Sequence, residues 1–243
     1  MSLGNPVLLL TLAAAAFYTL GCRRKFFILP AFLIQAGYMF YRGMLLGRMP
    51  IVGPHDTLFF LSASIALFGF PLTFKQENSR PLFYSVTALS LLFLFLSLPF
   101  KPHSSPLPPV LKTVWFEAHV ALSFFSYALF GIGAVLGAVF LSAGEKRSEL
   151  LQYKTIVVGY FLFSAAMVFG GIWAYLAWGT YWLWTPKELW TVILWLFYGL
   201  YLHARLTSRW TGRPAALLGI VGFIIVMFTY LGVSLLMKSS HSF

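Results

Sequence analysis

The chain has 243 residues, of which 60% are hydrophobic, 19% aromatic and only 9% charged, and its mean hydropathy is +0.83. A soluble domain needs about 25% charged residues to face water, and six acids with seventeen bases fall far short of that, so a water-soluble globule is excluded along with disordered and collagen-like chains. A lone cysteine, Cys22, excludes a disulfide-built secreted domain.

The composition is that of an all-α polytopic membrane protein embedded in a lipid bilayer. A spanning helix takes about 20 mostly apolar residues. Apolar runs between polar clusters predict about eight of them, at 5–21, 26–46, 56–74, 81–99, 114–142, 155–176, 189–206 and 215–237. The first is read as a retained span rather than a cleaved leader, because no basic residue precedes it and Arg23, Arg24 and Lys25 follow it.

Sorting the bases onto alternate sides gives the orientation. Arg23, Arg24, Lys25, Lys75, Arg80, Lys146, Arg147, Lys154, Arg205, Arg209 and Arg213 fall on one side. Arg42, Arg48, Lys101, Lys112, Lys187 and Lys238 fall on the other. The richer side is cytoplasmic, so both termini are expected to be extracytoplasmic. The net charge of +11 is then a topology signal and implies no nucleic-acid partner.

The cytoplasmic connections, around residues 75–80, 145–149 and 208–213, are too short to hold a catalytic domain, and no phosphate-binding glycine loop occurs. Chemistry is therefore expected outside. Along the way, Asp56 reads as an N-cap-region residue of the third span, Arg42 and Arg48 as side chains snorkelling to the interface, and His55 and His103 as solvated loop residues. Glu117 reads as a first-turn acid favouring the start of the fifth span.

Six of the eight tryptophans, Trp173, Trp178, Trp182, Trp184, Trp190 and Trp195, lie between residues 173 and 195. Tryptophan gathers at membrane interfaces in any case, but here the rings flank an ordered run, Trp178-Gly179-Thr180-Tyr181-Trp182-Leu183-Trp184-Thr185-Pro186-Lys187-Glu188-Leu189-Trp190. Flat aromatic surfaces at the membrane edge suit a flat, amphipathic, polycyclic ligand. Thr185-Pro186-Lys187-Glu188 also fits a capping box, with Thr185 as N-cap, Pro186 at N1 and Glu188 at N3.

That run resembles the WWD motif of the cytochrome c assembly family, the CcsA/ResC-type membrane proteins of system II cytochrome c biogenesis. It matches the family pattern W-G-x-Y-W-x-W-D-P-K-E-x-W at every fixed position except Thr185, where the family has Asp. Trp115-Phe116-Glu117-Ala118-His119-Val120 is similar to the family's W-x-x-x-H-V, and His241-Ser242-Phe243 to its His-Ser-Tyr ending.

The resemblance implies one transmembrane haem-handling domain over 1–243, with an extracytoplasmic tryptophan-rich loop at 177–190. It implies that His119 and His241 are the axial ligands of haem b, held on a platform of Trp178, Tyr181, Trp182, Trp184 and Trp190. His203 matches the family's membrane-embedded histidine, which helps haem pass outward. No catalytic nucleophile is expected, and the lack of Cys-x-x-Cys-His means no haem is attached to this chain itself.

The implied function is a subunit of a cytochrome c synthase (haem lyase). It would work with a ResB/CcsB-type membrane partner to present haem to the CxxCH of apocytochrome c. Two alternatives stand beside it: a HemX-like haem-binding or regulatory membrane protein that attaches nothing, and a membrane scaffold without haem. Thr185 costs the platform one negative charge and makes the HemX-like reading more credible. The expected location is a bacterial inner membrane, since no transit peptide precedes the first span.

Overall fold

The computed structural model describes residues 6–74, 80–207 and 210–236. Among them the regular elements are all helical: α1 (Pro6–Gly21), α2 (Ile28–Leu46), α3 (Pro54–Phe74), α4 (Arg80–Ser97), α5 (Val114–Ala143), α6 (Lys146–Trp178), α7 (Pro186–Leu206) and α8 (Arg213–Met227). A π-helical turn over Phe228–Gly232 and a last α turn over Val233–Leu236 extend α8. The all-α, multi-pass membrane class is as expected. Among the described residues six runs are long and apolar enough to cross a membrane, namely α3 to α7 and Arg213–Leu236. α1 is apolar but only 16 residues long, and α2 carries Gln35 and Arg42 within its 19.

One element departs clearly from its predicted bounds. α6 begins at Lys146 rather than near residue 155. Hydropathy marks the stretch that suits lipid, whereas the helix persists through polar turns as long as backbone hydrogen bonds and packing continue. Ser148 and Gln152 in those early turns are fully buried.

The chain divides into two compact units, one up to Pro106 and one from Leu107. In the first, α3 is the central helix, buried without interruption from His55 to Ala66, and it packs on α2 and α4, while α1 packs on α2 and α4. Because a buried helix must satisfy its polar groups internally, a hydrogen-bond chain threads the unit. Tyr18 donates to Gln35 Oε1, Gln35 Nε2 to Ser62 Oγ at 3.0 Å, and Ser62 Oγ to the Ser90 carbonyl at 2.8 Å.

This unit corrects three sequence expectations. His55 is not a solvated loop residue: it is fully buried in the first turn of α3, with Nδ1 donating to the Ser97 carbonyl at 3.0 Å and Nε2 3.3 Å from the Tyr38 hydroxyl. Arg42 does not snorkel. It pairs with Asp56 at 2.8 Å, both side chains nearly buried, and donates to the His103 carbonyl at 3.0 Å. His103 is half-buried, and burial together with the Arg48 and Arg42 guanidiniums holds its imidazole below the ordinary histidine range.

The second unit is an antiparallel four-helix arrangement of α5 to α8, in which α5 packs on α6 and α8, and α7 on α6 and α8. Ser126 Oγ ties α5 to α6 by donating to the Gly159 carbonyl at 2.8 Å, and Phe130 stacks on Tyr198 of α7 at 3.6 Å. At one end, Glu149 joins three helices. It accepts from Arg205 at 2.8 Å and from the Gly212 N–H at 3.2 Å, where α8 begins.

Candidate functional site

The opposite end of this second unit gathers the start of α5, the end of α6, the start of α7 and the end of α8. Four contacts define it: His119 to Ala166, Trp173 to Val110, Lys187 to Ser234 and Trp190 to Phe228. The tryptophan-rich run is the connection between α6 and α7.

Its path follows from two left-handed residues. α6 ends at Gly179, φ 75°, whose N–H closes on the Tyr175 carbonyl at 2.8 Å; glycine adopts this conformation without strain. The second is Trp184, φ 58°, where a bulky side chain is disfavoured. Glu188 holds it there. Its Oε2 accepts from the N–H of Leu183 at 3.0 Å and of Thr185 at 2.9 Å, bracketing Trp184 on both sides.

Thr185 in turn accepts the Glu188 N–H at 3.4 Å, completing the predicted capping box. A carboxylate at this point also suits the positive end of the α7 dipole. The outcome is a loop clasped around one buried acid, with Trp184 driven outward to 69% exposure and Tyr181 to 60%.

Tyr181, although exposed, is anchored, as are Trp178 and Trp190. Tyr181 stacks on Tyr175 at 4.6 Å, Trp178 meets Trp173 edge-on at 4.9 Å, and Trp190 meets Phe228 edge-on at 4.5 Å. Trp182 is half-buried, and its indole N–H has no acceptor among the described residues.

His119 lies in the second turn of α5, behind a first turn capped by Thr113, whose hydroxyl accepts the Phe116 N–H at 3.2 Å. Its Nδ1 is 2.8 Å from the Ala166 carbonyl. A carbonyl only accepts, so the proton sits on Nδ1 and the lone pair of the neutral ring is on Nε2. The ring lies over Trp173, with centroids 6.2 Å apart and planes 20° from parallel, and Trp173 is fixed by its own N–H on the Val110 carbonyl at 2.7 Å. An imidazole locked by one nitrogen and open at the other is how proteins commonly present a metal ligand.

The expected site residues therefore separate. His119, Trp178, Tyr181, Trp182 and Trp184 belong to one end of the unit, with Trp190 a turn into α7. His203 is exposed near the far end of α7, about 25 Å along the helix from Pro186 at 1.5 Å per residue. His241 lies outside the described residues; the described chain leading toward it is anchored by Lys187 Nζ donating to Ser234 at 3.2 Å.

Sequence reasoning missed three contributors: Ala166 and Gly170, which meet the His119 ring, and the reach of Glu188 back to Leu183. The available signal was the Gly170-Gly171 pair between Phe169 and Trp173, since small residues mark close approaches between membrane helices.

Residues 52–241 match the protein family described as cytochrome C assembly protein. The chain is 29% identical to the cytochrome c biogenesis protein CcsA of Prochlorococcus marinus (strain MIT 9215), over 96% of this chain and 89% of the relative. It is 34% identical to the CcsA proteins of Guillardia theta and Mesostigma viride, over 81% of this chain and 77% of each relative.

Proposed function

The chain belongs to the cytochrome c assembly family and is a multi-pass membrane protein of cytochrome c biogenesis, and from that premise we propose that it presents haem b, its cargo, on the tryptophan-rich loop for attachment to apocytochrome c. The observation that carries this reading is His119, whose Nδ1–H on the Ala166 carbonyl leaves the lone pair on Nε2, at the same end of the unit as the loop. Among the described residues no three His, Cys, Asp or Glu side chains cluster as a metal site. Iron already held in a macrocycle asks for only one or two axial ligands, and His119 with His241 supplies them.

Each group then has a task. The exposed rings of Tyr181 and Trp184, with Trp178 and Trp182 of the same loop, receive the flat macrocycle. His203 attends haem at the cytoplasmic end before it moves outward. When haem is bound, its vinyl groups supply the electrophile; each apocytochrome thiol adds across one vinyl group, sulfur to one carbon and proton to the other. The chain contributes position, which turns a slow encounter into a local one. A ResB/CcsB-type subunit completes the synthase in a bacterial inner membrane, with the loop facing out.

Visible spectra of the chain purified in mild detergent, after coexpression with its partner, test this. Sharp low-spin haem bands that weaken in both His119→Ala and His241→Ala are the expected result. A colourless wild-type protein under ample haem overturns the reading and leaves a scaffold. One observation favours the HemX-like alternative: Thr185, where the family carries Asp, keeps the helix cap but leaves the loop without that charge. Thioether formation on an apocytochrome, rather than haem content, separates the two.

A further inference from the structure

Gly170 stands where any side chain would run into the ring of His119. A Cβ built on Gly170 lies 2.6 Å from His119 Nδ1, 2.9 Å from Cε1 and 3.3 Å from Cγ, against the ring itself rather than a flexible tip. The reason is local. In an α-helix the carbonyl of residue 166 accepts the N–H of residue 170, so the imidazole reaches the Ala166 carbonyl across the space that a side chain at 170 would fill. Trp173, held by its N–H on the Val110 carbonyl, lies against the ring of His119.

We infer that Gly170 is a positioning residue for His119: by leaving the Ala166 carbonyl open to Nδ1–H, it fixes the ring in the tautomer and orientation that present Nε2. The inference rests on the proposed role of His119 as a haem ligand. A residue with a Cβ at 170 pushes the ring off the carbonyl, so the lone pair is no longer held in place. Losing a partner that orients a metal-bound histidine typically costs 10–100-fold in affinity.

Two measurements on the full chain test it. In the first, spectra and haem titrations compare wild type, Gly170→Ala, His119→Ala and the double variant. Gly170→Ala is expected to lose most of the low-spin signal, with affinity down by about 10–100-fold, and to regain low-spin bands on addition of free imidazole. It should cause no further loss once His119 is already Ala. Unchanged bands in Gly170→Ala overturn the inference. So does an added loss in the His119→Ala background, which marks general damage to the bundle.

The second measurement needs neither haem nor a variant at 170. Nitrogen-15 spectra of the haem-free chain, with His119 assigned through His119→Ala, are expected to show protonated Nδ1 and bare Nε2. The opposite tautomer overturns the inference, and this arm decides if Gly170→Ala does not fold. A colourless wild type overturns the haem reading instead, while the tautomer still reports whether α6 fixes the ring.

Discussion

Glu188 does more for the tryptophan loop than any ring in it. Its single buried carboxylate satisfies two backbone N–H groups on either side of a strained Trp184, and stranding a buried donor costs about 1–3 kcal/mol. Removing the Thr185 cap costs about 1 kcal/mol. Glu188→Ala is therefore expected to lower the melting temperature of the purified chain more than Thr185→Ala. The reverse order would mean that the loop is not held by the acid. His103 gives a second expectation. Its pKa is depressed in the folded protein, so protonation opposes folding. Stability is complete above the ordinary histidine range, near 6.5, and declines as pH falls below it. Melts from about pH 8 to about pH 5 should show that decline, and His103→Gln should reduce it. Local pattern explains what was readable at this scale. Thr185 and Glu188 are three apart, so their cap shows in the sequence, whereas the burial of His55 depends on Tyr38 and Ser97, which only the fold brings near.

Among the elements, α6, α7 and α8 share a fastening at Glu149. Arg205 donates to it at 2.8 Å, the Gly212 N–H at 3.2 Å, and Arg205 also lies over the Tyr153 ring at 5.2 Å. The paired side chains are only 13% and 12% exposed, so removing one partner leaves a largely buried charge. Arg205→Ala and Glu149→Ala should each destabilise the chain. The double variant should fall short of their sum by an interaction energy of about 0.5–3 kcal/mol, read from thermal unfolding in detergent; strict additivity would show that the pair contributes nothing. Helix positions themselves were largely legible, because apolar length is what a bilayer demands. The early start of α6 was not, since its first turns are helical through packing of Ser148 and Gln152 rather than through hydropathy.

At the scale of the molecule, the decisive question is which end of the α5–α8 unit faces out. The Glu149 end carries Lys146, Arg147, Arg205 and Arg213 in or beside its helix termini, whereas the loop end carries Lys112 and Lys187. The rule that basic residues stay inside was readable from the chain alone, and the contacts among α5 to α8 put these six charges at two opposite ends of the unit. What the sequence did not reveal is that Ala166 and Gly170, far along α6 from those charges, complete the setting of His119. The orientation makes a sharp expectation. Cys22 is exposed and is the chain's only cysteine, so in intact cells it should resist a membrane-impermeant maleimide and react once the membrane is opened. In a Cys22→Ser background, Lys112→Cys, at an exposed position just before α5, should react from outside without opening. The opposite pattern would invert the chain, placing His119 and the tryptophan loop in the cytoplasm, away from any extracytoplasmic apocytochrome, and haem presentation to that partner would fail on topology alone.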